Sequence, residues 1–263
     1  TMAIFKRLSV LLAFLVAACG GGSSGSGPAV GTVPSGGCDG SCVETQRNGN
    51  VDNVRLTTSD VETVIAQGVA EADARGVDAT LAVVDRVGNV LAVWRTSAAA
   101  RNVLITSAPD GSGRSEITGG LEGIEAPVDQ LAAISKAITG AYLSSEGNAF
   151  STRSAGQIVQ EHFNPGEFFQ PSGPLFGVQF SQLGCSDFSQ RYSGAPDVGP
   201  QRSPLGLSAD PGGFPLYKNG TVVGGVGVIA DGLYSLDRNI NDNDRGNQNG
   251  NVDELIARAA SFG

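Results

Sequence analysis

The chain has 263 residues, with 17 Lys and Arg against 26 Asp and Glu, and its formal net charge is −9. Nucleic-acid binding is disfavoured, because phosphate groups need clustered Lys and Arg to replace their counterions. With 38 glycines and 16% charged residues, the composition favours long loops over a helical bundle.

Residues 2–19, MAIFKRLSVLLAFLVAAC, have the order of a bacterial lipoprotein export signal. Lys6 and Arg7 precede an apolar run too short to span a bilayer. The final LVAAC resembles a lipobox, whose cysteine receives the lipid. The sequence therefore predicts a signal peptide over 1–18 and an exported protein, lipid-anchored through Cys19 in the cell envelope on its periplasmic or outer-membrane face. An ordinary signal peptide with a chance cysteine is the alternative.

Residues 19–54 are predicted to be a lipidated, flexible tether, because their first half is rich in Gly, Ser and Pro. Cys38, Cys42 and Cys185 remain as disulfide candidates in an oxidising compartment. One bridge and one free thiol is the simplest count, and the sequence leaves the pairing open. No Cys-x-x-Cys-His is present, which excludes covalently attached c-type haem.

The remaining residues, 55–263, are predicted to form a single domain. A first helix should begin at Thr57, a good N-cap with Asp60 three residues on, and should end at Gly76. Two β-rich runs, 79–85 and 90–95, follow with a turn between them and predict a hairpin. An insertion at 98–130 is expected to be mostly loop.

The second half of the chain has further helix and hairpin signals. Helical spacing indicates a helix from Leu131 to Tyr142 and another from Ala155 to His162. A second insertion is predicted at 157–211. Further elements are expected as a strand over 175–180, a hairpin of 214–218 and 221–229 around Asn219-Gly220, and a last helix over 252–260. Two hairpins without strand–helix–strand alternation favour an α+β fold with a central antiparallel sheet flanked by helices.

Four ordered blocks resemble the GlcG/HbpS-like family of haem-binding proteins. They are LTTSDVETVIAQGVAEADARGVDATLAVVDRVGNVLAVWR, AISKAITGAYLS, GGFPLYKNGTVVGGVGVIADG and VDELIARAA, within 56–96, 131–156 and 212–260. The resemblance implies a profilin-like α/β sandwich, frequent homo-oligomers, and haem binding or haem and iron handling in some members. The export signal and both insertions are typical of a long, secreted form of this family.

His162 is the single histidine of the chain and the first candidate for an axial ligand to haem iron. It falls on the apolar face of its predicted helix, where a structural histidine is the alternative. Oxygen ligands are also possible in principle, from Tyr142, Tyr192, Tyr217 and Tyr234.

Four further residues are candidates for cofactor binding. Gly225 and Gly227 lie inside a predicted strand, where bare backbone could face a ligand or a packed helix. Lys136 and Arg153 could pair with a propionate or another carboxylate ligand, or could form ordinary surface ion pairs. Asp253 falls at the end of an Asn- and Asp-rich stretch that is better explained as a solvated loop than as a Ca²⁺ site.

No catalytic residue is assigned, since no His-Glu-x-x-His occurs and the one Gly-x-Ser-x-Gly run, at 21–25, lies in the Gly/Ser-rich tether and not at a strand–helix turn. The sequence therefore favours binding over catalysis. The leading hypothesis is an envelope lipoprotein that binds haem or a related ligand. The alternatives are a metal-free module for a small organic acid and an oligomeric structural or assembly protein.

Overall fold

The computed structural model describes residues 54–106, 121–158, 173–175, 203–235 and 251–263. The chain divides into a unit Thr1–Gln46 and a unit Arg47–Gly263, which contains every described element. The predicted signal peptide, tether and lipidation site lie outside the described residues. So do His162, the disulfide candidates and the expected strand over 176–180.

The described elements follow the predicted order. The helices are α1 (Thr58–Arg75), α2 (Asp129–Leu143), α3 (Thr152–Ile158) and α4 (Val252–Ala260). The strands are β1 (Thr80–Asp85), β2 (Val90–Arg95), β3 (Val103–Ile105), β4 (Ile124–Ala126), β5 (Gly213–Lys218), β6 (Thr221–Ile229) and β7 (Leu233–Tyr234). Within the described residues, no helix has the length and apolar character needed to cross a membrane.

Local signals set the ends of α1 and the turn between β5 and β6. Thr57 and Asp60 form the predicted capping box, and Gly76 ends the helix in the left-handed conformation at φ 66°. Asn219 and Gly220 both have positive φ, at 53° and 79°, as a tight two-residue hairpin turn requires. Both predictions are confirmed.

The central sheet has the strand order β2-β1-β6-β5, and all its neighbours are antiparallel. Helix α2 covers one face and helices α1 and α4 cover the other. Alternate residues of β1 and β6 point to opposite faces, as the pleat demands. The predicted α+β fold with a central antiparallel sheet flanked by helices is confirmed.

A second, three-stranded sheet lies partly where the sequence indicated loop. β3 pairs with β4 antiparallel and with β7 parallel, although 98–130 was expected to be mostly loop and β7 was not predicted. These strands have two or three residues each, too few for alternation to show in the sequence. Buried side chains from β3 and β7, including Ile105 and Tyr234, join the cluster beneath α2.

Candidate functional site

Lys136 lies at the centre of a buried ionic cluster. Its Nζ is 2.5 Å from Oδ2 of Asp210 and 2.6 Å from Oδ2 of Asp253, and all three side chains are almost entirely buried. The three residues come from α2, from the loop before β5 and from the first turn of α4. The cluster therefore ties together segments from three parts of the chain.

The second oxygen of each carboxylate is also satisfied within the protein. Oδ1 of Asp253 accepts the amides of Ala230, at 2.7 Å, and Asp231, at 3.1 Å. Oδ1 of Asp210 accepts the amide and the hydroxyl of Ser235, both at 3.0 Å. A buried ion pair needs such extra hydrogen bonds to offset the loss of hydration.

Two carboxylates face one ammonium in this cluster, so the charges do not balance. Burial raises the pKa of Asp210 to about 6 and that of Asp253 to about 7, although the charge of Lys136 opposes both shifts. Burial also acts against the charged form of Lys136, but the two carboxylates outweigh it and raise its pKa above the usual value. Lys136 therefore stays protonated, and the carboxylates compete for an additional proton.

Gly212 makes room for this cluster. Its φ is 115°, and a Cβ placed there would lie 2.7 Å from Cβ of Asp253 and 3.2 Å from Nζ of Lys136. A side chain would therefore clash with the ion pair as well as strain the backbone. The glycine before β5 therefore leaves room for the contact between Lys136 and Asp253.

The predicted role of Lys136 as a partner for a ligand carboxylate is wrong in this structure. Its side chain has no exposed surface, and its ammonium already contacts two carboxylates of the chain. The sequence prediction identified a cation that needs carboxylates but placed those carboxylates on a ligand. The actual partners are Asp210 and Asp253.

Gly225 and Gly227 do not present bare backbone to a ligand either. A Cβ on Gly225 would lie 2.1 Å from the carbonyl oxygen of Ala137, and a Cβ on Gly227 would lie 2.1 Å from that of Ala133. Helix α2 packs so closely that not even a methyl group fits. The ligand-face prediction is thus wrong at these positions, and the alternative of a packed helix is correct.

A second buried ion pair was not predicted. Asp129, in the first turn of α2, accepts Nε and Nη2 of Arg95 at 2.6 and 2.8 Å and the hydroxyl of Thr80 at 2.7 Å. Burial opposes ionisation, but these donors hold the pKa of Asp129 below its usual value. From the sequence, an acidic residue at the start of a helix is already accounted for by the helix dipole. The burial of Asp129 and its ion pair therefore could not be predicted.

Arg153 differs from the other candidates because it remains accessible. Nε of Arg153 is 2.9 Å from both carboxylate oxygens of Glu254, and Nη2 is 2.7 Å from Oε2. This pair borders a cleft of about 220 Å³, which Phe214, Leu255 and Arg258 complete. The cleft is therefore lined by two arginines, one glutamate and one aromatic ring.

The remaining candidates gain no ligand role from the described residues. The hydroxyl of Tyr142 donates to the carbonyl of Val87, and that of Tyr217 donates to the carbonyls of Ser145 and Asn148. Within the part of the chain that the structure describes, no group of three or more His, Cys, Asp or Glu is arranged to hold a metal ion.

Comparisons with known proteins find solved structures of low sequence identity. No family model and no curated protein matches the chain. It is similar to the solved PduOC:haem complex, with a TM-score of 0.42 and 17% identity over 79% of this chain and 93% of that one. It is also similar to Klebsiella pneumoniae protein ORFY (TM-score 0.40, 19% identity, 79% and 89% covered). A double mutant of Streptomyces reticuli HbpS matches with a TM-score of 0.38 and 19% identity, covering 79% and 85%.

Proposed function

We propose that this chain is an exported, lipid-anchored binding protein of the cell envelope that captures haem or a related ligand by its carboxylate groups. The cleft formed by Arg153, Arg258 and Phe214 carries the proposal. Guanidinium groups bind carboxylates through charge-assisted hydrogen bonds, and an aromatic ring supplies the adjacent apolar contact. The chain as a whole is acidic, so this local excess of positive charge would orient an anionic ligand.

The cleft among the described residues is large enough for one end of a haem, but not for the whole group. A drug-sized ligand typically occupies at least about 300 Å³, and the cleft has about 220 Å³. The volume accommodates a propionate arm. For an axial iron ligand, His162 stays the first candidate, as a proposal from the sequence.

The resemblance in the sequence to GlcG/HbpS-like haem-binding proteins supports haem as the ligand, and the lipobox at Cys19 supports the location. One of the solved structures to which the chain is similar is a haem complex, PduOC. Capture of a scarce ligand at the envelope is consistent with a tether between anchor and domain.

Titration with hemin tests the proposal. We expect a shift of the Soret band that saturates, and binding about tenfold weaker in Arg258→Gln, since one charge-assisted hydrogen bond contributes about 1.5 kcal/mol or more. Arg75→Gln is the matched control, because Arg75 lies on α1 and pairs with Glu71 one turn earlier. Absence of a Soret shift would contradict the proposal.

Metal-free protoporphyrin, followed by its fluorescence, separates recognition of the propionates from ligation of the iron. If the arginines bind propionates and His162 binds iron, Arg258→Gln weakens the binding of both hemin and metal-free protoporphyrin, whereas His162→Ala weakens the binding of hemin alone. Equal binding of hemin by the parent and His162→Ala would remove the histidine from the proposal and retain the cleft.

The size of the cleft also favours a second candidate, a binding module for a small organic acid without metal. Thermal-shift measurements with lactate and other hydroxy acids test it, with Arg258→Gln and Arg75→Gln as the variant and its control. Stabilisation by an acid in the absence of any response to hemin would favour this alternative.

A further inference from the structure

Glu254 lies inside the cleft and already binds one of its two arginines. Nε of Arg153 is 2.9 Å from each carboxylate oxygen of Glu254, and Nη2 is 2.7 Å from Oε2. A guanidinium group binds the carboxylate of a ligand through the same donors. The chain's own carboxylate therefore takes a place that a ligand carboxylate could occupy on Arg153.

The backbone on both sides of this pair is held from the interior of the protein. Asp253 precedes Glu254, and its carboxylate contacts Lys136 and accepts two backbone amides. Thr152 precedes Arg153 and is fully buried, and its hydroxyl accepts the first amide of β5 at 2.9 Å. The two charged side chains thus start from anchored positions, and their contact forms without any ligand.

Arg258 is the second cation of the cleft, and it differs from Arg153. It lies one helical turn after Glu254 on α4 and is exposed. Among the ion pairs between described residues, none includes Arg258. Two positive charges and one negative charge therefore line the cleft, and the positive charge left over is that of Arg258.

We propose that Glu254 determines the specificity of this cleft and limits it to ligands that present a single carboxylate. One ligand carboxylate pairs with Arg258. A second carboxylate on the same small ligand would meet the charge of Glu254 and would lack a cation, since Arg153 is already neutralised. This inference rests on the proposed function of the cleft as a carboxylate-binding site and states which acids the cleft accepts.

The rest of the cleft favours an apolar body on such an acid. Phe214 and Leu255 supply apolar lining, and the volume of about 220 Å³ leaves room for a small group only. A short carboxylate arm attached to one ring or to a short alkyl chain has this form. Hydrocinnamate is therefore a suitable probe, and phenylsuccinate is the same molecule with a second carboxylate.

Calorimetric titration with these two acids at neutral pH, where their carboxyl groups are ionised, tests the inference. The parent should bind phenylsuccinate no more tightly than hydrocinnamate. Glu254→Gln keeps the shape of the side chain and removes its charge, so Arg153 becomes able to take the second carboxylate. We expect this variant to bind phenylsuccinate about tenfold more tightly than the parent does, with a much smaller gain for hydrocinnamate.

Glu71→Gln is the matched control, because it makes the same change of charge in the ion pair with Arg75 on α1. Both affinities should stay at their parental values. Unfolding in urea separates specificity from a merely structural role. If Glu254 serves only to tie α3 to α4, Glu254→Gln loses stability and gains no affinity for phenylsuccinate, which overturns the inference.

The comparison within the parent needs no variant. A parent that binds phenylsuccinate about tenfold more tightly than hydrocinnamate overturns the limit set by Glu254 and retains the carboxylate site. If neither acid binds while the Soret shift of hemin depends on Arg258, the proposed function stands and the inference about Glu254 is wrong.

Discussion

The two faces of the central sheet are covered in different ways. Under α2, Gly225 and Gly227 bring strand and helix backbones together, and the helix contributes Lys136 and Asp129 as fully buried charges. Under α1 and α4 the contacts with the sheet are mostly aliphatic, between side chains such as those of Leu81, Val83, Val226, Val228, Ile256 and Ala257. The buried charge that α4 contributes, Asp253, pairs with Lys136 of α2. The α2 face is thus held together by close contact between backbones and by buried charges, and the α1/α4 face mainly by the packing of apolar side chains.

This difference predicts unequal tolerance to substitution. An apolar contact can relax when a methylene group is lost, so its cost is modest. A buried charge without its partner cannot relax, and neither can a side chain forced against a helix backbone. Substitutions on the α2 face should therefore cause large losses of stability, whereas substitutions on the α1/α4 face should cause small ones.

Lys136→Met should have the largest effect. It keeps the apolar stem but leaves Asp210 and Asp253 buried without their cation, which should lower the free energy of unfolding by about 3–5 kcal/mol. Urea unfolding followed by circular dichroism measures this loss. Lys218→Met, which breaks a partly exposed pair with Asp60, is the control and should cost less than about 1 kcal/mol. Similar losses in both variants would contradict the importance of burial.

Gly227→Ala should come next. The new methyl group would lie 2.1 Å from the carbonyl oxygen of Ala133 and 2.4 Å from the amide of Ala137. We expect a loss of about 3 kcal/mol, at the upper end of what overpacking costs. The same urea experiment measures it.

Gly76→Ala is the matched control for this change. Gly76 has positive φ but open space around it, so alanine should cost about 1 kcal/mol through backbone strain alone. A Gly227→Ala variant no less stable than Gly76→Ala would show that α2 can move away from the sheet.

Which of these features could be predicted from the sequence depends on how local they are. Thr57, Asp60 and Gly76 set the ends of α1 through contacts within a few residues, so their pattern is sufficient. The same holds for Asn219-Gly220. Lys136 and Asp253 are 117 residues apart in the chain, and nothing near either residue indicates the other.

One signal of the cluster was nevertheless present. Lys136 lies in AAISKAITGAY, where every other residue is uncharged, and a cation within such an apolar stretch requires a carboxylate partner if it is buried. The sequence shows this requirement but not whether the protein or a ligand meets it. Asp253 gives no indication of this role in the sequence, because it ends an Asn- and Asp-rich stretch that is explained as a solvated loop.

On the α1/α4 face, Ile256→Val should have a smaller effect than either change above. Ile256 is fully buried against apolar neighbours, and loss of one methylene group costs about 1 kcal/mol. Ile65→Val, at a partly buried position of α1, should cost less still. A loss above about 2 kcal/mol for Ile256→Val would show that the α1/α4 face tolerates substitution as poorly as the α2 face.

A change of pH should also alter the free energy of unfolding, and the sign of this effect follows from the buried cluster. The pKa values of Asp210 and Asp253 are raised in the folded state to about 6 and about 7, while an unfolded aspartate has about 3.9. Between pH 8 and pH 5 the folded chain therefore takes up protons that the unfolded chain does not, and the free energy of unfolding should rise as pH falls. Lys136 adds no slope, because its stabilisation is complete below the unfolded lysine pKa. Asp129, with a lowered pKa, loses its contribution to stability only on further acidification.

Unfolding midpoints measured in His162→Ala, which removes the single histidine, should show this rise in stability from pH 8 to pH 5, and Asp210→Asn in the same background should reduce it. A midpoint that falls from pH 8 to pH 5 in the histidine-free chain would mean that both carboxylates remain ionised beside Lys136.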